Sequence, residues 1–377
     1  MNGLETSYQL IETTAAWQNC LAQLGDQPRL ALDLEANSMY AYQEEICLVQ
    51  ISIPTADFIV DPLALPNLDG LGAIIENNQV DKVFHAAEYD LMLLKREYGW
   101  ELQNLFDTMW AARILGYQKF GLANILAEFF QVKLNKRFQR ADWGKRPLTD
   151  PQLCYAQADT HYLLPLRDRL WSEIVRAGRQ QEALEIFAEQ CHIKLPDTDF
   201  DPDGFWRLNG ARELSPTQLG QLQALYLFRD EQARQRNQPH FKIFSDQLLL
   251  QLVYDQPRTL ADLRQMRGLT NLQIRRYGRQ LLKALEQGAQ NQPRRPARNN
   301  NQRTPYAVVE RYERLHSWRK QLAEARGVES DVILSRDTMW AIAHANPRSL
   351  AELEAIESLG PWRFQEYAAA VLAVLQS

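Results

Sequence analysis

The feature that most limits how this chain can fold is an internal duplication. At a constant offset of 90 residues and without a gap, Leu225 falls on Leu315, Arg229 on Arg319 and Ala233 on Ala323. Ile243, Ser245 and Pro257-Arg258 fall on Ile333, Ser335 and Pro347-Arg348. Leu260, Leu263, Leu269, Tyr277, Leu282 and Leu285 fall on Leu350, Leu353, Leu359, Tyr367, Leu372 and Leu375. An ungapped match over about 60 positions means a duplicated domain, so the second half of the chain is two copies of one small fold. Apolar residues at i, i+3, i+4 spacing, interrupted at Gln256-Pro257 and Asn346-Pro347, predict about four or five helices in each copy. The stretch QGAQNQPRRPARNNNQRTP has no apolar periodicity and is rich in Pro, Asn and Gln, which predicts a linker. The expected organisation is therefore a first domain over 1–205, ending near the acid- and proline-rich LPDTDFDPDG, helical domains over 206–288 and 305–377, and a linker over 289–304.

The first domain alternates differently. RLALDLE, ICLVQISI, DFIVDP and KVFH read as strands. Leu68 to Asn77, Glu88 to Tyr98 and most of the segment after Asp107 read as helices. Strands first, then alternating with helices, predict an α/β layer with a mixed sheet. With 45% hydrophobic and 24% charged residues the chain is globular in composition, and no run approaches the ~18 apolar residues of a membrane span. The N-terminal residues lack the pattern of a secretory signal, and Cys20, Cys47, Cys154 and Cys191 are scattered without metal-ligand spacing. A reduced, cytoplasmic protein away from membranes is expected.

Carboxylates carry the chemistry. Asp33 and Glu35 sit two apart in ALDLEAN, so on a strand they share a face while Leu32 and Leu34 pack on the other. Such a pair is costly on an apolar strand unless a cation neutralises it, although a solvent-exposed edge would also accommodate it. Asp90 lies where a strand gives way to a helix in VFHAAEYDLMLL, a position that also suits a first-turn acid facing the helix dipole. In TDPQLCYAQADTHYL, Asp150 reads as an N-cap ahead of Pro151, and Tyr155 and Asp159 are one turn apart on one face. A phenol beside a carboxylate suits orientation or deprotonation of a water near a bound metal ion; half-buried packing of the ring is the alternative. Four carboxylates are the oxygen supply that two Mg²⁺ ions require. Neither G-x-x-x-x-G-K nor G-x-G-x-x-G occurs, so no nucleotide cofactor is expected, and G-x-S-x-G and H-E-x-x-H are absent too.

The order Asp33-x-Glu35, Asp90 after a His-containing strand, and Tyr155-x-x-x-Asp159 resembles the DEDDy 3′–5′ exonucleases. HAAEYDLMLL and DWGKRPLTDPQLCYAQADTHYLL are most similar to the ribonuclease D branch, which carries helical HRDC modules after its exonuclease domain. Glu88 departs from the small or amide residue common in that family, outside the acid set. The resemblance implies a ribonuclease H-like α/β exonuclease domain followed by two all-α HRDC bundles. It implies two divalent ions, Mg²⁺ or Mn²⁺, on Asp33, Glu35, Asp90 and Asp159, with Tyr155 holding the attacking water. It further implies a 3′–5′ exoribonuclease that releases nucleoside 5′-monophosphates from RNA such as 3′-extended tRNA precursors, and a monomer is expected. A DNA 3′–5′ exonuclease, or an inactive nucleic-acid-binding scaffold, would carry similar residues.

Charge separates the two copies. Residues 1–211 hold 18 Lys/Arg against 30 Asp/Glu, whereas 212–287 hold 12 against 7 and 306–377 hold 8 against 10. The first copy gathers Arg264, Arg267, Arg275, Arg276, Arg279 and Lys283 around MRGLTNLQIRRYG; its counterpart keeps Arg363 and adds Glu354, Glu357 and Glu366. The basic cluster suits phosphate contact, although arginines also solvate exposed helices, while the acidic copy is expected to pack against the enzyme core or shape its opening.

Overall fold

A computed structural model describes residues 7–134, 136–196, 199–291, 293 and 304–376. The first domain runs β1 (Tyr8–Ile11), α1 (Thr14–Leu24), β2 (Arg29–Ala36), β3 (Ile46–Ile53), β4 (Ala56–Val60), α2 (Leu71–Ile75), β5 (Asp81–Phe84), α3 (Glu88–Tyr98) and β6 (Leu105–Asp107). It continues with α4 (Thr108–Ile114), α5 (Leu122–Phe130), α6 (Asp150–His161), α7 (Leu163–Arg176) and α8 (Gln180–Gln190). The described strands form one mixed sheet in the order β1-β4-β3-β2-β5-β6. β2, β3 and β4 make the expected antiparallel meander, and β1, β5 and β6 join in parallel. Because β2 lies inside the sheet, Asp33 and Glu35 are not on an exposed edge.

Strand alternation divides the core. Leu30, Leu32 and Leu34 pack with Trp17, Leu71 and Leu91 of α1–α3, while Ala31, Val83 and Phe106 pack with α4, α5, α7 and α8 on the opposite face. Asp33 and Glu35 share the face of Ala31. Leu48 and Ile59 of β3 and β4 meet Leu153 and Ala156 of α6. The helix expected over Leu68 to Asn77 is confined to Leu71–Ile75, because Gly70 at φ 94 breaks the chain before it. Thr149, not Asp150, caps α6: its backbone N–H donates to Gln152 Oε1 at 3.1 Å, and Asp150 is the first helical residue. Nothing in the short, half-exposed YQLI marks it as β1, and β6 has only three residues.

The first copy comprises α9 (Pro216–Gln235), α10 (His240–Ile243), α11 (Asp246–Asp255), α12 (Leu260–Gln265) and α13 (Asn271–Ala289). The second repeats it as α14 (Tyr306–Arg326), α15 (Ser330–Ile333), α16 (Arg336–Ala345), α17 (Leu350–Glu354) and α18 (Pro361–Gln376). The duplication extends to single bonds. Arg229 and Arg319 donate to the Phe244 and Leu334 carbonyls at 3.1 and 2.9 Å, and Ser245 and Ser335 cap α11 and α16. Both of those helices end in a left-handed residue, Gln256 at φ 51 and Asn346 at φ 48, before the paired prolines. Most of the expected linker, 289–304, lies outside the described residues.

The chain forms two compact units: one of residues 1–36, 46–195 and 300–377, the other of 37–45 and 196–299. In the first unit the second copy docks on α4 and α8 through ions. Arg363 is 3% exposed and donates to Glu189 at 2.7 Å and to the Ile333 carbonyl at 3.1 Å. Glu185 accepts the Trp362 and Arg363 backbone N–H groups, Arg326 pairs with buried Glu182, and Arg113 pairs with Glu329 and Asp331. In the second unit Tyr42 donates its hydroxyl to Asp230 at 2.6 Å and its backbone N–H to Asn237 at 3.0 Å.

Candidate active site

Carboxylate oxygens of Asp33, Glu35 and Asp159 lie within 4.8 Å of one another. β2 presents the first two on one face, and α6 lays Asp159 over that face as it packs on β2, β3 and β4. Asp90, buried in the first turn of α3, stands beside this trio, near enough for its charge to act on Glu35. Burial raises all four acids, and repulsion from neighbouring carboxylates adds to it for Glu35, Asp90 and Asp159. Asp33 is pushed up to about 7 by burial, against one backbone hydrogen bond from Leu34. Glu35 is pushed up to about 10 by burial, then by Asp33, Asp159 and Asp90. Asp90 and Asp159 rise well above the usual carboxylate range by burial and by the charge of Asp33. Four crowded oxygen donors that resist ionisation alone fit hard divalent cations, whose charge inverts that preference.

Tyr155 completes the cluster. Its ring lies 6.0 Å from that of Trp143 and 6.1 Å from that of Phe138, and its hydroxyl is hydrogen-bonded with Asp159. Burial first, then Asp159, Glu35 and Asp33, push the phenol far above its ordinary value, so it keeps its proton at neutral pH. At neutral pH it is therefore a hydroxyl that can take part in hydrogen bonds, not a phenolate.

A 3′–5′ exonuclease family model matches residues 8–175, and an HRDC domain model matches 218–285 and again 309–375. Ribonuclease D of Jannaschia sp. is 32% identical over 269 residues, 69% of this chain and 68% of that protein. The chain belongs to the ribonuclease D family. The solved structure of Escherichia coli RNase D, described as an exoribonuclease involved in structured RNA processing, matches with a TM-score of 0.66 at 26% identity. That match covers 98% of this chain and 99% of that one. The exosome complex component 10 homolog of Caenorhabditis elegans is 33% identical over 265 residues, 68% of this chain but only 30% of that longer protein.

Several residues that hold this ribonuclease D-type site together have no local sequence signal. Asp107, 1% exposed, accepts the backbone N–H groups of Ala86 and Ala87 at 3.0 and 2.9 Å while capping α4 through Met109 and Trp110. It thus pins the β5–α3 turn, where Ala86 has φ 63, and so aims α3 and Asp90. His85 bonds Thr108 at 2.9 Å in the same turn, and burial lowers its pKa, which keeps it neutral. Asp57 ties α6 to the sheet, accepting from Ser52 at 2.6 Å and Gln157 at 2.7 Å and pairing with His161 at 2.7 Å. Arg146 grips Asp61 with two bonds, of 2.6 and 2.8 Å, and so fastens the segment before α6.

The six cations singled out in the first copy are all exposed, Arg264 on α12, Arg267 in the turn and the other four on α13. Their counterparts include exposed Glu354, Glu357 and Glu366, while Arg363 is buried in the docking contact. No helix among the described residues is long and apolar enough to cross a membrane.

Proposed function

We propose that this chain is a metal-dependent 3′–5′ exoribonuclease that trims RNA, 3′-extended tRNA precursors included, and releases nucleoside 5′-monophosphates. The convergence of Asp33, Glu35 and Asp159 within 4.8 Å, with Asp90 and Tyr155 beside them, carries the reading. Asp33, Glu35, Asp90 and Asp159 would hold two divalent ions, Mg²⁺ or Mn²⁺. Bound there, such ions supply Lewis acidity toward the scissile phosphate and lower the pKa of a bound water. Tyr155, anchored on Asp159, positions the attacking oxygen in line with the 3′-terminal phosphodiester. Asp57 and Asp107 fix the helices that carry Asp159 and Asp90, so the geometry is preorganised rather than assembled at each turnover.

The domain limits 1–205, 206–288 and 305–377 belong to this reading, as do a cytoplasmic monomer and an RNA-contacting role for Arg264, Arg267, Arg275, Arg276, Arg279 and Lys283. Their exposure on α12, α13 and the turn between them supports that role, because exposed cations can neutralise phosphates. The test offers the purified protein a 5′-labelled 3′-extended tRNA and single-stranded DNA of the same 3′ sequence, with Mg²⁺, Mn²⁺ or a chelator. Stepwise shortening of the tRNA that stops with the chelator is expected. Faster shortening of the DNA would make it a DNA exonuclease, and no shortening of either would make it a scaffold.

A further inference from the structure

Gln50 lies in the middle of β3, 0% exposed, yet neither its side-chain nitrogen nor its side-chain oxygen has a hydrogen-bond partner. Leaving both ends of a buried amide unbonded is costly, and a Leu of similar size would avoid the cost. The position is therefore one where an amide is held in reserve.

Register shows what it is held beside. Gln50 pairs directly with Asp33 across the β2–β3 ladder and with Ile59 across the β3–β4 ladder. Directly paired residues point to the same face, with Cβ atoms roughly 4.5–5.5 Å apart. Leu48 and Ile59 on that face, and Leu153 and Ala156 of α6 packed against it, are apolar. Ser52 bonds Asp57 and Thr160, and Asp57, on the other diagonal, is taken up by Ser52, Gln157 and His161. Among these described neighbours, the polar group left within reach of the Gln50 amide is the Asp33 carboxylate, with Glu35 on the diagonal opposite Leu48.

We propose that Gln50 is a positioning residue for the carboxylate cluster, its amide N–H donating to the Asp33 carboxylate and fixing its orientation toward a bound divalent ion. The inference rests on the metal-site reading above. A donor behind a ligating carboxylate sets which oxygen faces forward, and outer partners of this kind change metal affinity by about 10–100-fold when removed. The amide suits this task because it supplies a donor without adding a fifth charge.

The test is Gln50→Leu, with Gln50→Asn and Asp33→Asn as companions, measured by Mn²⁺ titration calorimetry and by thermal unfolding without metal. Gln50→Leu should weaken Mn²⁺ binding by about 10-fold or more while the metal-free melting temperature stays the same or rises, and Gln50→Asn should recover part of the affinity. A merely structural residue would instead lower the melting temperature and leave Mn²⁺ affinity within twofold, and that result overturns the proposal. If Asp33→Asn abolishes Mn²⁺ binding and Gln50→Leu does not change it, the role of Gln50 fails while the metal site stands. If Asp33→Asn binds as wild type does, the site itself fails, and Gln50 with it.

Discussion

Arg363→Gln should undo the docking of the second HRDC copy while leaving that copy folded. The first copy carries Gln273 at the equivalent position, donating to the Ile243 carbonyl at 2.9 Å, just as Arg363 donates to Ile333 at 3.1 Å. The substitution therefore keeps the local bond and removes only the charge that meets Glu189 at 2.7 Å and Glu185 at 3.5 Å. Stranding the partners of a buried cation costs ~3–5 kcal/mol when they are fully enclosed. Glu185 retains two backbone donors and the Glu189 side chain is 33% exposed, which brings the expected loss down to about 2–3 kcal/mol. At roughly 2–4 °C per kcal/mol for a unit of this size, thermal unfolding should shift down by about 4–12 °C. Adding Glu185→Gln should restore part of that loss. A shift below about 1 °C, or no recovery in the double variant, would refute the claim that these ions hold the copy in place.

Tyr155→Phe keeps the ring that Trp143 and Phe138 pack against and removes only the hydroxyl; kcat should fall about 10²–10⁴-fold with RNA affinity little changed. Unchanged kcat would make Tyr155 a packing residue. Burial raises the Asp57 pKa, but bonds from His161, Ser52 and Gln157 outweigh it and hold the carboxyl below its ordinary value. Its stabilising contribution is therefore complete above about pH 4 and lost as pH falls through the folded pKa. The stability gap between wild type and Asp57→Asn, about 2 kcal/mol at neutral pH, should shrink in urea titrations below about pH 4; a constant gap would exclude it. Arg275→Ala with Arg276→Ala should weaken RNA binding and flatten its log–log salt dependence by up to about two phosphate contacts. Exchanging Glu357 and Glu366 for Gln in the second copy should leave both unchanged, and equal effects from the two copies would defeat the division of labour.

What could be read from the sequence was what repeats or alternates. The duplication is linear, so both bundles and the change of charge between them were visible, and a period of two placed Asp33 and Glu35 together without knowledge of the sheet. Tyr155 and Asp159 needed only one helical turn. The supporting residues are long-range. Asp107 acts on Ala86 and Ala87 across a strand–helix junction, and Asp57 acts on His161 from another strand. Gln50 carried a signal of the same kind as the acids, a polar pair with Ser52 inside ICLVQISI, but only the β2–β3 register shows that it faces Asp33. The second copy's docking ions are likewise spread over α4, α8, α14, α15 and α18, and no local pattern joins them.

The account rests on hydrolysis from the 3′ end by the carboxylate cluster, which RNA labelled in its last phosphate tests directly. With Mg²⁺, the wild-type protein should release the label as nucleoside 5′-monophosphate from the earliest time points, and Asp33→Asn should release none while unfolding at the same temperature or higher. Label appearing first in longer fragments, or release by Asp33→Asn at the wild-type rate, would contradict it.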